Sequence, residues 1–156
     1  MPFRFSNTSR DRLHTCHPHL QAILTRALGW GIVDLTIIEG HRSAEKQTDL
    51  VKRGLSKAQP WSSRHNVSPS LAVDVAPFIG GAIPWNDREP FVRMAGVLQA
   101  SASVQGVAIR WGGDWDMDWS HRDQTFHDLP HFELVVSPEK FDRAVRETRA
   151  TGSWVD

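Results

Sequence analysis

The chain of 156 residues has one cysteine, no tyrosine and no surplus of either charge. Cys16 alone can form neither an intramolecular disulfide nor a thiolate zinc cluster, so any metal must rest on His, Asp and Glu. The 18 basic residues cancel the 18 acidic ones, which leaves no basic field to draw in nucleic acid or an anionic membrane and no acidic tail for basic partners. No run approaches the ~18 apolar residues of a membrane span. Charges among the first twelve residues stand where a signal peptide would place its apolar stretch, so the sequence is expected to be made in the cytoplasm without a signal peptide. Repeats, low-complexity tracts and linkers are also missing. With 40% apolar and 23% charged residues, the composition is that of a folded chain able to bury roughly two-thirds of its surface, which excludes disorder. We expect a single domain over residues 1–156, with a core at about 20–150.

What the chain has in quantity is histidine and tryptophan, 8 and 7 residues. Leu20, Ile23, Leu24, Ala27 and Leu28 repeat at helical spacing, and Gly29 to Gly31 end that helix. Ile32 to Glu39 reads as a strand rich in β-branched residues. Ser43 caps a second predicted helix that stops at Gly54, which leaves Arg42 at the mouth of the preceding loop. Leu71 to Val75 reads as a strand whose alternation sends Asp74 to the face opposite Leu71, Val73 and Val75. A helix from Pro90 to about Gln105, a strand at Val107 to Trp111, a strand at His131 to Val136 and a last helix opened by Ser137 and Pro138 complete the pattern. The stretch from Gly112 to Pro130 is too long and polar for an idle connection, and it is expected to build a site. The predicted fold is α+β, a small antiparallel sheet flanked by helices, with a metal site in a cleft on one sheet face.

A catalytic zinc site takes three nitrogen or oxygen ligands and keeps a fourth position open. His65, Asp74 and His131 would supply two imidazoles and one carboxylate, the first two at the ends of a folded-back turn and the third from a distant strand. By itself a His and an Asp nine residues apart is a weak signal. Glu133 lies two residues beyond His131 and shares its face of the strand, so it could reach the metal or the water and is the main competitor for the role of base.

Several motifs occur together in a fixed order: Gly40-His41-Arg42-Ser43 with Gln47, Ser63-x-His65, Ala72-x-Asp74, Trp111-Gly112-Gly113-Asp114-Trp115, and Asp128-x-x-His131. The set resembles the zinc peptidases that include D-alanyl-D-alanine carboxypeptidases and dipeptidases, and within them the endolysin-type L-alanyl-D-glutamate peptidases, from roughly Leu20 to Val136. The resemblance implies one zinc ion on His65, Asp74 and His131. It implies Asp128 as the general base and Arg42 as the group that steadies the oxyanion or a substrate carboxylate, with a surface ion pair of Arg42 to Glu39 or Glu45 as the plainer alternative. Ser63 and Gln47 are expected as substrate contacts. In the commoner family pattern a glycine follows the first histidine and the aspartate lies seven residues on. Here Asn66 follows His65 and Asp74 lies nine on, a longer ligand loop.

The function implied is zinc-dependent hydrolysis of the L-alanyl-D-glutamate bond in the peptidoglycan stem peptide by a monomeric endolysin. It would be released to the cell wall through a membrane pore and carry no separate wall-binding domain. A D-alanyl-D-alanine carboxypeptidase or dipeptidase keeps the same zinc and changes the bond. A non-catalytic, zinc-stabilised wall-binding or virion module is the alternative from another class. Trp111 and Trp115 read equally well as substrate platforms or as core. Asp114, Asp116 and Asp118 alternate as at the start of a calcium loop, but Trp119 and Thr125 stand where that loop needs glycine and glutamate, so a solvated acidic loop is expected.

Overall fold

The computed structural model describes residues 2–156. Its elements in chain order are α1 (Asn7–His14), α2 (Pro18–Gly29), β1 (Leu35–Glu39), α3 (Ala44–Lys52), a short 3-10 turn (Arg64–Asn66), β2 (Ala72–Pro77), α4 (Arg88–Gln105), β3 (Ile109–Trp111), β4 (His131–Leu134) and α5 (Pro138–Thr151). The caps follow the sequence signals. Ser43 and Ser137 accept the backbone N–H groups of Lys46 and Lys140, Pro18 and Pro138 occupy first turns, and Gly106 closes α4 with a left-handed φ of 70° that favours glycine. The short helix α1 carries no apolar stripe that would announce it. Only Ser9 and Leu13 on it are buried, and Ser6 caps it through the Ser9 N–H.

The four strands form one antiparallel sheet in the order β1-β2-β4-β3. Helix α1 packs against β1, α2 against α4, and α4 against β2 and β3. Val73 and Val75 of β2 and Phe132 and Leu134 of β4 enter this core beside Leu20, Leu24, Phe91, Met94 and Leu98. Because side chains alternate along a strand, the intervening residues Asp74, His131 and Glu133 point to the other face. The pairing Asp74↔His131 sets these two side by side, and Glu39↔Asp74 and Arg110↔Glu133 extend the row to both edges of the sheet. The expected α+β domain with an antiparallel sheet is therefore the fold observed. No helix among the described residues is long and apolar enough to cross a membrane.

Candidate functional site

The polar face of the sheet floors a groove of about 900 Å³, walled by α3, the 55–65 loop and the 112–130 loop. At its centre His65 Nε2, His131 Nδ1 and Asp74 Oδ1 stand 3.2, 3.2 and 3.3 Å apart pairwise. Donors on a tetrahedral zinc at ~2.0–2.1 Å are roughly 3.3–3.4 Å from one another. The outer nitrogens of both rings are already engaged: His65 Nδ1 lies 2.7 Å from the Gly40 carbonyl oxygen and His131 Nε2 lies 2.9 Å from Glu133 Oε2. With the ring protons directed outward, both inner nitrogens present lone pairs to a carboxylate oxygen, an arrangement that suits a cation. Where a proton fills that role, burial opposes it but the bonds to Asp74 and Glu133 prevail and push His131 up to about 9. The same two histidines hold the buried Asp74 far below the usual carboxylate range.

Each donor is placed by something the sequence shows only in part. Gly40 must be glycine because a Cβ there would overlap Thr15 Oγ1 and the Arg12 carbonyl oxygen, and this close approach brings its own carbonyl to His65. Ser63 caps the 3-10 turn by accepting the His65 N–H at 3.2 Å. The longer ligand loop is ordered. Asn66 is fully buried, accepts the Trp61 N–H and donates to the Arg42 carbonyl, while Trp154 donates from its backbone to Ser68 and from its indole to Pro69. Glu133 does not compete for the centre. Burial would raise its carboxyl, but His131 and Arg110 together bring it down to about 2, so it stays an anion that orients His131.

Asp128 reaches the same groove from the end of the long loop. Its N–H donates to the Gly112 carbonyl at 2.7 Å, and a Cβ on Gly112 would collide with the Asp128 backbone. Its carboxylate has no hydrogen bond or ion pair among the described residues, and burial with the neighbouring Asp74 charge raises its carboxyl, against the lowering influence of His131, His65 and Arg42. Arg42 is held tightly. Its Nε and Nη2 donate to Glu39 Oε2, Nη1 donates to Gln47 at 3.0 Å and Nη2 approaches Asp74 Oδ2 at 3.4 Å. Of the five guanidinium N–H groups this leaves one on Nη1. The ion pair with Glu39 therefore exists, and it fixes Arg42 beside the donor set.

Gln47, expected as a substrate contact, is fully buried, and its amide is consumed by Arg42, Ser56 Oγ and the Ala58 carbonyl. It is a strut behind Arg42, because every polar atom it has is spent before a ligand arrives. Ser63 does line the groove. Trp111 belongs to the core, stacked on Phe132 with its indole donating to the Leu129 carbonyl, whereas Trp115 lines the groove 5.5 Å from the His131 ring. His127 is turned toward Arg88. Asp114, Asp116 and Asp118 do gather within 4.8 Å, and Asp114 accepts the N–H groups of Asp118 and Trp119 to close its own turn.

Fold and groove together define a class: small α+β domains that present two imidazoles and a carboxylate close enough together to hold a metal ion, with a further unpaired carboxylate at hand. Within that class, the chain belongs to the phage L-alanyl-D-glutamate peptidase family, which it matches over residues 1–135. It is 32% identical over 139 residues to the L-alanyl-D-glutamate peptidase of Escherichia phage T5, a match covering 86% of this chain and all of that one. It is also 32% identical over 114 residues to the peptidoglycan L-alanyl-D-glutamate endopeptidase CwlK of Bacillus subtilis, covering 66% of this chain and 62% of the relative. The crystal structure of the Serratia marcescens L-Ala D-Glu endopeptidase ChiX superposes with a TM-score of 0.71 at 30% identity, over 86% of this chain and 91% of that one.

Proposed function

We propose that the protein is a zinc-dependent peptidoglycan endopeptidase that hydrolyses the L-alanyl-D-glutamate bond of the stem peptide. The observation that carries this reading is the triangle of His65, Asp74 and His131 donor atoms, 3.2–3.3 Å on each side, in a groove that also holds the unpaired Asp128. The family membership and the names of the relatives support the choice of bond. A zinc ion on these three residues would supply Lewis acidity toward the scissile carbonyl and the attacking water. Asp128 accepts the proton of the attacking water and returns it to the amine that leaves. Its raised carboxyl suits both halves of that duty. Arg42, fixed by Glu39, Gln47 and Asp74, offers its remaining N–H to the carbonyl oxygen as negative charge develops there. Glu133 and the Gly40 carbonyl hold the two imidazoles in the tautomers that leave the inner nitrogens free. Ser63 shapes the groove wall against the substrate. It acts as a monomer on the stem peptide of the cell wall.

Digestion of purified peptidoglycan by zinc-loaded wild type, Asp128→Ala and His131→Ala tests the proposal, with mass spectrometry of the fragments and analysis of new amino ends. New glutamate amino ends from wild type alone are expected. Free D-alanine would move the enzyme to the carboxypeptidase branch. Wall binding without any release would point to the non-catalytic module.

A further inference from the structure

The cations of the groove are neutralised by protein carboxylates in pairs, with two departures. Arg42 and Lys46 share Glu39, and Arg110 is bound to Glu133, whose other oxygen is taken by His131. Lys57 sits over the Phe126 ring, 4.8 Å from its centroid. Arg64 is the other departure and the stronger one, because it lies directly between Ser63 and the donor His65 on the 3-10 turn and is partly buried in the groove wall. Among the described residues its guanidinium has no hydrogen bond and no ion pair, and Nε is a fully enclosed donor with no acceptor. The group lies 3.6 Å from the centroid of the Phe141 ring, which fixes it by a cation–π contact.

A planar cation, sealed on one side by an aromatic ring and given no protein carboxylate, is costly to keep unless something else supplies the anion. An arginine fork matches a carboxylate in both shape and charge. The groove's own anions do not fill the place: Glu39 and Glu133 are saturated, Asp74 is committed to the two histidines, and Asp128 makes no hydrogen bond or ion pair with Arg64, which feels Glu133 and Asp142 only through space. In a stem peptide the glutamate continues the chain through its side-chain carboxyl, so its α-carboxylate stays free on the carbon that bears the scissile nitrogen. We propose that Arg64, stacked on Phe141, is the subsite that binds the free α-carboxylate of the glutamate on the leaving side of the bond. This rests on the endopeptidase reading and deepens it: the enzyme would read the charge state of that carboxyl, favouring a wall in which it is free over one in which it is amidated.

Two synthetic stem peptides differing only in that group, carboxylate or carboxamide, are cleaved by zinc-loaded wild type, Arg64→Gln and Arg64→Lys. Wild type is expected to prefer the carboxylate by roughly 10–100-fold in kcat/KM, carried by KM, the size of one charge-assisted pair. Arg64→Gln should lose far more on the carboxylate than on the carboxamide peptide, and Arg64→Lys should regain part of the preference. Equal losses on both peptides, or a wild type that does not discriminate, would overturn the subsite. Calorimetry with the glutamyl product peptide reads the same contrast without turnover. Carboxylate binding lost in Arg64→Gln upholds the subsite even where no bond is cut, whereas failure of wild type to cleave either peptide overturns the peptidase reading alone.

Discussion

Strand β2 shows its two faces one residue apart. Val73 and Val75 pack with Leu98 and Phe132 in a core where any close-fitting apolar shape would serve, while Asp74 between them meets His65 and His131 at 3.2 Å each. The core face is stabilised by area and packing, which are spread over many residues. The groove face is a row of specific polar contacts, with Gly40 bonded to His65, Glu133 to His131 and Arg110, and Asp74 set against both rings, so that removing one group leaves its neighbours without a partner. Damage to the first face should therefore appear as stability, and damage to the second as chemistry at nearly constant stability.

The largest effect that would sharpen this contrast is Asp128→Ala. Loss of a general base costs about 10²–10⁴-fold in kcat, and because this carboxylate makes no hydrogen bond or ion pair among the described residues and burial disfavours its charge, the thermal midpoint should stay the same or rise slightly. A fall in midpoint with intact turnover would place Asp128 in the scaffold. On the other face, Leu98→Ala should cost ~2–5 kcal/mol by denaturant titration, with the zinc affinity of the folded molecules unchanged. A parallel loss of zinc affinity would show that the two faces are coupled through β2 and break the comparison.

Much of this division was legible in the residues, because period-2 alternation alone separates Asp74 from Val73 and Val75, and the motif order ties it to His65 and His131. Helix α1 was not legible, since Ser9 and Leu13 are its only buried residues and Arg10, Asp11 and Arg12 interrupt any stripe. Gln47 looked like a groove residue because a polar side chain on a helix gives no sign that its partners, Ser56 and Ala58, will enclose it. Glu133 was placed correctly near His131 by its two-residue offset, but its role depended on Arg110 arriving from β3, a long-range pairing that no local pattern records. Arg64 left no signal, because the ring that holds it comes from α5, 77 positions on from residue 64.

Glu133→Gln probes the contrast at a smaller scale. The amide can still accept from His131 but supplies no charge, so zinc affinity should fall about 10–100-fold in a competition with a chelating dye. The same substitution acts on acid stability of the metal-free protein. The wild-type carboxyl lies at about 2, against an ordinary 4.5, so its contribution is present above pH ~4.5 and is lost as pH falls toward ~2. The variant should lack that part of the acid limb. An unchanged limb and unchanged zinc affinity would mean that the Gly40 side of the row alone orients the site.

The smallest effect is expected where the two faces meet. Cys16 is buried between the end of α1 and the ligand loop, bridged to Ser70, with its sulfur 3.8 Å from the Ala72 carbonyl oxygen and next to the place where Gly40 passes without a Cβ. Burial pushes its thiol up to about 12, so at pH 8 only about one molecule in 10⁴ carries a thiolate, against roughly a quarter for a free cysteine. A thiol reagent should therefore leave the native protein unlabelled over hours and react with one group per chain after unfolding. Rapid labelling of the native state would mean that the ligand loop opens away from α1. The donor triangle would then be assembled by the metal instead of waiting for it, and the groove face would lose the preorganisation that sets it apart from the core. Slow labelling that zinc slows further would instead place Cys16 with the groove, since a ligand that binds only the closed form suppresses the opening through which the thiol reacts.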